Sequence, residues 1–251
     1  MKFSVQEATA YRLNLLNTVL SSLIWGSFVF VSIFLLTSKT KSVLGWNREE
    51  LFLLTANFSI MIGIFRIFIL HNLDELARII HTGKLDQYLL KPVDVQFWVS
   101  FRHANVGAVL RIPLSLMISI YILKLLETKT SFAEYLIFIL LLLVGVIINY
   151  SIWFIAMTFI IWFTNLTNMK TLLTGIGGVT RYPKEIFDNT NLYLFLVFFP
   201  LTLVVSVPTK YLLGRASNSE LYLLFSTALI LFISARFFWK FALRYYSSAS
   251  S

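Results

Sequence analysis

The chain of 251 residues contains no cysteine and few charged residues, and each of these absences excludes a class of protein. Without cysteine there is no disulfide framework, no thiolate nucleophile and no cysteine-ligated metal. Charged residues make up 13% of the chain, whereas a soluble domain has about 25%. The low charge content therefore argues against a soluble globular protein.

Motifs that bind phosphate or support hydrolysis are also missing. The sequence contains no GxxxxGK[ST] phosphate-binding loop and no GxSxG or HExxH motif, and residues 175–178 form only a glycine-rich turn. The three histidines, His71, His81 and His103, are spaced 10 and 22 residues apart, which does not match a pair of helical metal ligands. We therefore predict no metal, no cofactor and no catalytic residue on this chain.

Hydrophobic residues, in contrast, make up 58% of the chain, and the mean hydropathy is +0.79. Apolar runs of about 20 residues predict an all-α integral membrane protein with six transmembrane helices in a single domain, residues 1–251. Residues 2–12 predict an N-terminal interfacial helix, and Pro113 is expected to bend or break the third span. The predicted spans are residues 13–37, 51–70, 104–126, 134–163, 192–207 and 221–239.

The orientation follows from the basic residues. The net charge of +9 is scattered among the apolar runs, which favours a role in topology and lipid contact over nucleic-acid binding. Lys and Arg are more numerous in the two termini and the intervals 71–103 and 164–191 than in the opposite loops, so we expect both termini and both intervals in the cytoplasm. Arg66 and Arg111 fall within spans, at cytoplasmic ends where long side chains reach the headgroups.

The polar interval 71–98 predicts two short surface helices. Asn72 is the expected N-cap of the first, with Glu75 completing a capping box, and Leu73, Leu76 and Ile80 fall on one apolar face. Gly83 is the expected terminator, and a second short helix over 84–90 ends before Lys91-Pro92. A coupling element for a partner protein and a solvated loop with an interfacial helix are both open interpretations.

The predicted spans carry few polar groups. No Asp, Glu, Lys or His falls in the middle of a span, which argues against a transporter driven by its own ion coupling. Asn149, Tyr150 and Ser151 lie near the middle of the fourth span. They either face a substrate path or bond neighbouring helices. The chain therefore has the properties of a subunit driven by another protein.

Several short motifs, in matching order along most of the chain, resemble a known family. The segment 83–92, GKLDQYLLKP, resembles the G-x-L-D-x-Y-L-L-x-P stretch of six-span permeases in the type-2 (ABC-2) class of ABC transporters. Tyr182-Pro183 with Ile186-Phe187, Pro208 with residues 212–214, and the end of the chain from Phe238-Trp239 resemble later landmarks of these permeases. A small residue commonly follows the proline at the position of Pro208, and Thr209 departs from this pattern.

The resemblance implies an exporter in a bacterial cytoplasmic (inner) membrane, built from two permeases, identical or different, and two ATPase subunits that carry ATP and Mg. It also implies that the loop between the second and third spans holds a coupling helix, and that the segment after the fifth span folds back toward the outer surface. The expected ATPase contacts are Leu73, Glu75, Leu76, Ile80, Asp86 and Tyr88. A membrane scaffold or assembly protein and an uncoupled channel without an ATPase partner are the alternatives, and the cargo stays open.

Overall fold

A computed structural model describes residues 42–105, 109, 111–128, 130–163, 169–187 and 192–246, with scattered positions between 20 and 38; for 192–197 it describes the backbone alone. The predicted N-terminal interfacial helix and most of the first predicted span lie outside the described residues. A short antiparallel hairpin pairs β1 with β2 through Leu44 and Gly45, which both have positive φ as a two-residue hairpin turn requires. The strands are β1 (Ser42–Val43) and β2 (Trp46–Asn47).

Nearly all other described residues are helical. One continuous helix consists of α1, a π-helical segment and α2, and a 3₁₀ turn at Phe159–Ile161 extends α6. Two further 3₁₀ turns, Gly178–Arg181 and Lys184–Phe187, follow α7. The helices are α1 (Arg48–Phe65), the π segment (Arg66–Leu70), α2 (His71–His81), α3 (Leu85–Leu89), α4 (Val95–Phe101), α5 (Arg111–Leu125), α6 (Phe132–Thr158), α7 (Met169–Gly177), α8 (Leu192–Leu212) and α9 (Asn218–Leu243).

In the part of the chain that the structure describes, three helices are long and apolar enough to cross a membrane, namely Arg48–His81, Phe132–Ile161 and Asn218–Leu243. The expectation of a mostly helical membrane protein is therefore confirmed, while the number of six spans stays a prediction. The starts of these helices share one sequence signal, a polar residue followed three positions later by Glu. At Ser131 and Ser217 the serine hydroxyl accepts from the glutamate amide, and the glutamate side chain accepts from the serine amide, which closes a capping box.

In the third predicted span, 104–126, the described residues 104, 105 and 109 are not helical. Helix α5 begins at Arg111, and its 15 residues cover about 22 Å, less than the hydrocarbon core of about 30 Å. Pro113 neither bends nor breaks this helix. It lies in the first turn, where a missing N–H leaves no hydrogen bond unmade.

Helix α8 continues through Pro208, where the sequence predicts a loop. A proline at this position leaves the carbonyl of Val204, four residues earlier, without its helical donor. Gly145 of α6 packs directly against that carbonyl, since a Cβ built on Gly145 would lie 2.5 Å from the Val204 oxygen. A side chain at this position would therefore push α6 away from α8.

The described part of the interval 164–191, residues 169–187, does not lie at one end of the bundle, as a single loop would. Lys170, at the start of α7, pairs with Asp74 of α2. Lys184 instead forms an ion pair of 2.7 Å with Glu220, and Glu185 accepts a hydrogen bond of 3.0 Å from the indole of Trp46. Residues 184–187 therefore lie at the end of the molecule opposite α2. Their basic charge is neutralised by local carboxylates, so it carries little information about orientation.

Helices α1 and α5 pack along one another in an antiparallel register that two contacts define. The Ser119 hydroxyl donates to the Asn57 side chain at 2.8 Å, and Ile112 lies against Gly63. The Asn57 amide also donates to Thr209 of α8 at 3.0 Å. Because all three polar side chains are buried, these hydrogen bonds fix the three helices relative to each other.

Candidate functional site

The predicted helix start at Asn72 is wrong, because the helix runs without interruption from Arg48 to His81. Asn72 lies inside this helix, fully buried, and its side chain binds the backbone of another segment. Its amide donates to the carbonyl of His103 at 2.8 Å, and its oxygen accepts from the amide of His103 at 3.0 Å. The residue thus acts as a clamp that holds the chain after α4 against the long helix.

The π-helical segment gives a second anchor one turn earlier. The carbonyl of Ile67 accepts from the amide of Asn105 at 2.8 Å. A π-helical turn changes the pairing of backbone carbonyls, and such turns often occur at functional sites. Residues 103–105 are therefore tied to the long helix at two levels, which positions the start of α5.

Helix α2 ends as the sequence predicts. Gly83 has φ of +67°, the amide of Lys84 donates to Ile79 at 3.0 Å, and the amide of Gly83 donates to Ile80 at 3.2 Å. This pair of bonds is a Schellman motif, which needs a residue with positive φ, and glycine adopts that conformation without steric cost. The predicted short helix then follows as α3, and Asp94 caps α4 by accepting from the amide of Phe97 at 2.9 Å.

Helix α3 is held against α4 by stacked aromatic and cationic side chains. The rings of Tyr88 and Trp98 stack with centroids 4.2 Å apart, and the ammonium of Lys91 lies 5.1 and 4.9 Å from the two centroids. Arg102 donates to the Tyr88 hydroxyl at 3.2 Å and pairs with Glu75 of α2. These contacts connect α2, α3 and α4 into one unit, which we call the inner element (residues 71–102).

Three of the predicted ATPase contacts are buried inside this chain. Leu73 and Leu76 are fully buried, and Ile80 is 5% exposed, because the apolar face of α2 packs into the core formed with α4 and α6. A partner cannot reach this face in the folded chain. The prediction that these residues form the docking face is therefore corrected.

The other predicted contacts lie nearer the surface. Glu75 is half-buried between Arg78 and Arg102, Tyr88 is half-buried in the stack, and Asp86 is half-buried in the first turn of α3. The apolar side chains that reach solvent follow them in sequence. Leu89 is 40% exposed, Leu90 is 87% exposed and Val93 is 48% exposed. Apart from Phe97 and Phe101 of α4, the large exposed apolar side chains of the inner element are therefore at the end of α3, in the segment 89–93.

A cavity of about 550 Å³ opens beside α4, between the long helix, α6 and α9. Its walls are apolar and aromatic, and Asp94, Gln96, Tyr150 and Arg236 are the polar residues that line it. The Tyr150 hydroxyl accepts from the Gln96 amide at 3.1 Å and lies 2.9 Å from the hydroxyl of Ser100.

The same cavity contains an ion pair. Arg236 of α9 pairs with Asp94 and donates to Gln96 at 3.0 Å. Partial burial of Asp94 raises the pKa of its carboxyl, but the bonds from Arg236 and from the amide of Phe97 outweigh it and hold the pKa below its ordinary value. The carboxylate therefore stays charged at neutral pH, and the ion pair joins α4 to α9.

The three predicted path residues do not act together. Tyr150 lines the cavity, whereas Ser151 donates to the carbonyl of Ile147 in its own helix at 2.8 Å. Asn149 is buried, and its side-chain oxygen has no hydrogen-bond partner in the described part of the chain. The sequence interpretation missed Gln96, Ser100 and Arg236. The position of Arg236 inside the apolar run of the last span was a signal for it.

The described helices define an integral membrane protein with an amphipathic inner element at one end of the bundle. Within the described residues no group of three or more His, Cys, Asp or Glu could hold a metal ion. The family model described as "ABC-2 family transporter protein" matches residues 23–250, and the chain belongs to this family of membrane transport components. No curated protein and no solved structure shows a significant match to the chain.

Proposed function

We propose that the chain is the permease subunit of an ATP-driven exporter, and that a separate cytoplasmic ATPase docks on segment 89–93. The observation that carries the proposal is the exposure of Leu90, which at 87% is the most exposed large apolar side chain among the described residues. A leucine held in solvent next to Lys91 and Pro92 offers a partner an apolar anchor with a basic rim. Membership of the family supports a transporter with an ATPase partner.

The packing of α3 supports transmission of force from this surface to the membrane. Leu85 at the start of α3 is fully buried, Gly83 joins α3 to α2 through the Schellman turn, and Tyr88 fixes α3 to α4. Movement of α3 would therefore displace the whole helix Arg48–His81, since no break separates α2 from α1. Closure of an ATPase dimer on ATP would move this unit and change the contact between two permeases.

The cavity lined by Tyr150 is the proposed cytoplasmic entrance of the substrate path. It combines apolar walls with the ion pair of Asp94 and Arg236, so it suits an amphiphilic cargo. The ion pair links α4 of the inner element to α9. Movement of the inner element would therefore open or close the cavity.

Substitution of Leu90 tests the docking proposal. We expect Leu90→Asp to weaken retention of the ATPase by about 2 kcal/mol from lost apolar burial, with desolvation of the carboxylate adding to the loss. Leu44→Asp is a matched control, because Leu44 is 50% exposed in the hairpin at the other end of the molecule. The measurement is ATP hydrolysis and subunit content of the complex purified through a tag on the full chain.

Three outcomes of this experiment are distinct. Loss of the ATPase with Leu90→Asp alone supports docking on segment 89–93. A folded Leu90→Asp chain that keeps wild-type hydrolysis contradicts it. A wild-type chain that purifies without any ATPase would instead favour a scaffold or an uncoupled channel.

The absence of cysteine allows a direct test of the proposed orientation. Single cysteines at Gln87 in α3 and at Ser217 before α9 lie at opposite ends of the bundle. We expect an impermeant thiol reagent added outside intact cells to label position 217 and to spare position 87. The reverse pattern would overturn the cytoplasmic assignment of the inner element, and with it the docking proposal.

A further inference from the structure

Two arginines that the sequence places in different spans lie side by side in the fold. Arg66 is at the start of the π segment, and Arg111 is the first residue of α5. The antiparallel register that pairs Asn57 with Ser119 also brings Gly63 against Ile112, so Arg66, one turn after Gly63, lies near Arg111, the neighbour of Ile112. The lack of a side chain at Gly63 permits this close packing, because a Cβ there would lie only 3.0 Å from Cγ1 of Ile112.

Neither guanidinium group has a hydrogen bond or an ion pair to any residue that the structure describes. Three carboxylates at this end of the bundle each pair with a different cation. Asp74 pairs with Lys170, Glu75 with Arg102, and Asp94 with Arg236. The two guanidinium groups thus share a site without a carboxylate partner among the described residues, and their charges repel each other.

The surroundings of the pair are apolar. Leu114 and Ile118, which follow Arg111 at i+3 and i+7 on the same side of α5, are 41% and 38% exposed. A pair of positive charges beside exposed apolar side chains is unfavourable in a membrane unless an anion lies between them. Guanidinium groups bind phosphate through paired N–H donors, and basic pockets between spans at the cytoplasmic side suit anionic headgroups.

We propose that Arg66 and Arg111 together bind the phosphate of an anionic phospholipid from the cytoplasmic leaflet, with its acyl chains against Leu114 and Ile118. The proposal rests on the orientation proposed above but does not depend on ATPase docking. Because Arg66 adjoins the anchor at Ile67 and Arg111 opens α5, a bound lipid would contact both helices that flank the inner element.

The test is a titration of the purified full chain with phosphatidylglycerol, with the first bound lipid followed by native mass spectrometry. A basic residue near a membrane surface contributes roughly a fivefold gain in binding, so we expect Arg66→Gln with Arg111→Gln to weaken this binding about 25-fold. Each single substitution should weaken lipid binding about fivefold. The single variants provide the test if the double variant does not fold. Arg66→Lys with Arg111→Lys keeps both charges and should stay closer to wild type.

A matched control removes the same charge elsewhere. Lys240 and Arg244 are exposed and one turn apart at the end of α9, and their double substitution by Gln should change phosphatidylglycerol binding less than twofold. An equal loss in both double variants would show diffuse electrostatic attraction and overturn the proposal. Competition by millimolar glycerol phosphate as strong as that by the lipid would overturn the lipid as ligand. Labelling at position 87 reports the orientation separately, so a reversed chain is distinguishable from a site that binds no lipid.

Discussion

The two ends of the helical bundle differ in how far their exposed groups are covered by contacts within the chain. At the end that the orientation proposed above places outside, here called the outer end, Glu50 pairs with Arg215 at 2.7 Å, Glu185 pairs with Lys210, and Glu220 pairs with both Lys184 and Lys210. These ion pairs hold the helix starts, the hairpin and the 3₁₀ turn at 184–187 together. At the inner end, ion pairs are equally dense, but segment 89–93 holds three exposed apolar side chains together, whereas those of the outer end, such as Leu44 and Phe132, come from separate segments.

This difference separates a surface that serves stability from one that serves association. The outer carboxylates each do two things, since Glu50 and Glu220 cap the helices that they begin and also hold a cation from another segment. The inner element uses its buried face, including Leu76, for its own fold and keeps Leu90 outside. Large exposed apolar side chains beside basic residues are costly for an isolated protein and typical of an interface.

The largest effect is expected at the buried face of the inner element. Leu76→Asp replaces a fully buried leucine, so the lost packing alone should cost about 2–5 kcal/mol and the unpaired carboxylate adds to this. We expect the chain to lose its folded state, seen as a lower midpoint of thermal unfolding and aggregation on size exclusion. If Leu76→Asp instead gave a stable chain that only lost its ATPase, the docking face would be on α2 after all.

An intermediate effect is expected from removal of one charge at each end. Glu50 is 2% exposed and binds both Arg215 and the amide of Asn47, so Glu50→Gln should lower the free energy of unfolding by about 1–2 kcal/mol. Asp94 is partly exposed, so Asp94→Asn should cost about 1 kcal/mol or less. Denaturant unfolding in detergent measures both. Equal costs would show that the burial of Glu50 adds nothing to the strength of its ion pair.

The smallest effect is a pH dependence at the outer end. Burial raises the pKa of Glu185, but hydrogen bonds from Lys210 and Trp46 outweigh it and lower the pKa below its ordinary value. A carboxyl with a lowered pKa stabilises the fold above its unfolded pKa of about 4.3, and this contribution is lost as the pH falls through the folded value. We expect wild type to unfold at a higher temperature than Glu185→Gln at pH 7, and the difference to shrink below about pH 4.5. A difference that stays constant with pH would exclude the ionised carboxylate as its source.

Local chemistry was sufficient to predict some features of the fold. Apolar runs gave the long helices that begin near residues 132 and 218, and Gly83 gave the end of α2, because burial in a membrane and positive φ each depend on nearby residues alone. Membership of the ABC-2 family agrees with the resemblance found in short motifs such as segment 83–92.

The same pattern led to opposite outcomes at two positions. Asn-x-x-Glu occurs at Asn47 and at Asn72, and a helix begins only at Asn47. Before Asn47 the hairpin with Gly45 interrupts the chain, so the helix must start there. Before Asn72 no residue prevents the helix from continuing, and the side chain binds His103 instead of its own helix end.

The sequence by itself determined that this chain is a helical membrane protein with a polar interval between apolar runs, because hydrophobicity and turn chemistry are local properties. Only the tertiary structure decided which face of that interval is available. Periodicity places Leu76 on an apolar face but does not show whether that face meets this chain or a partner. Packing against α4 and α6 buries Leu76 and leaves Leu90 outside, since which partner covers an apolar face depends on contacts distant in sequence.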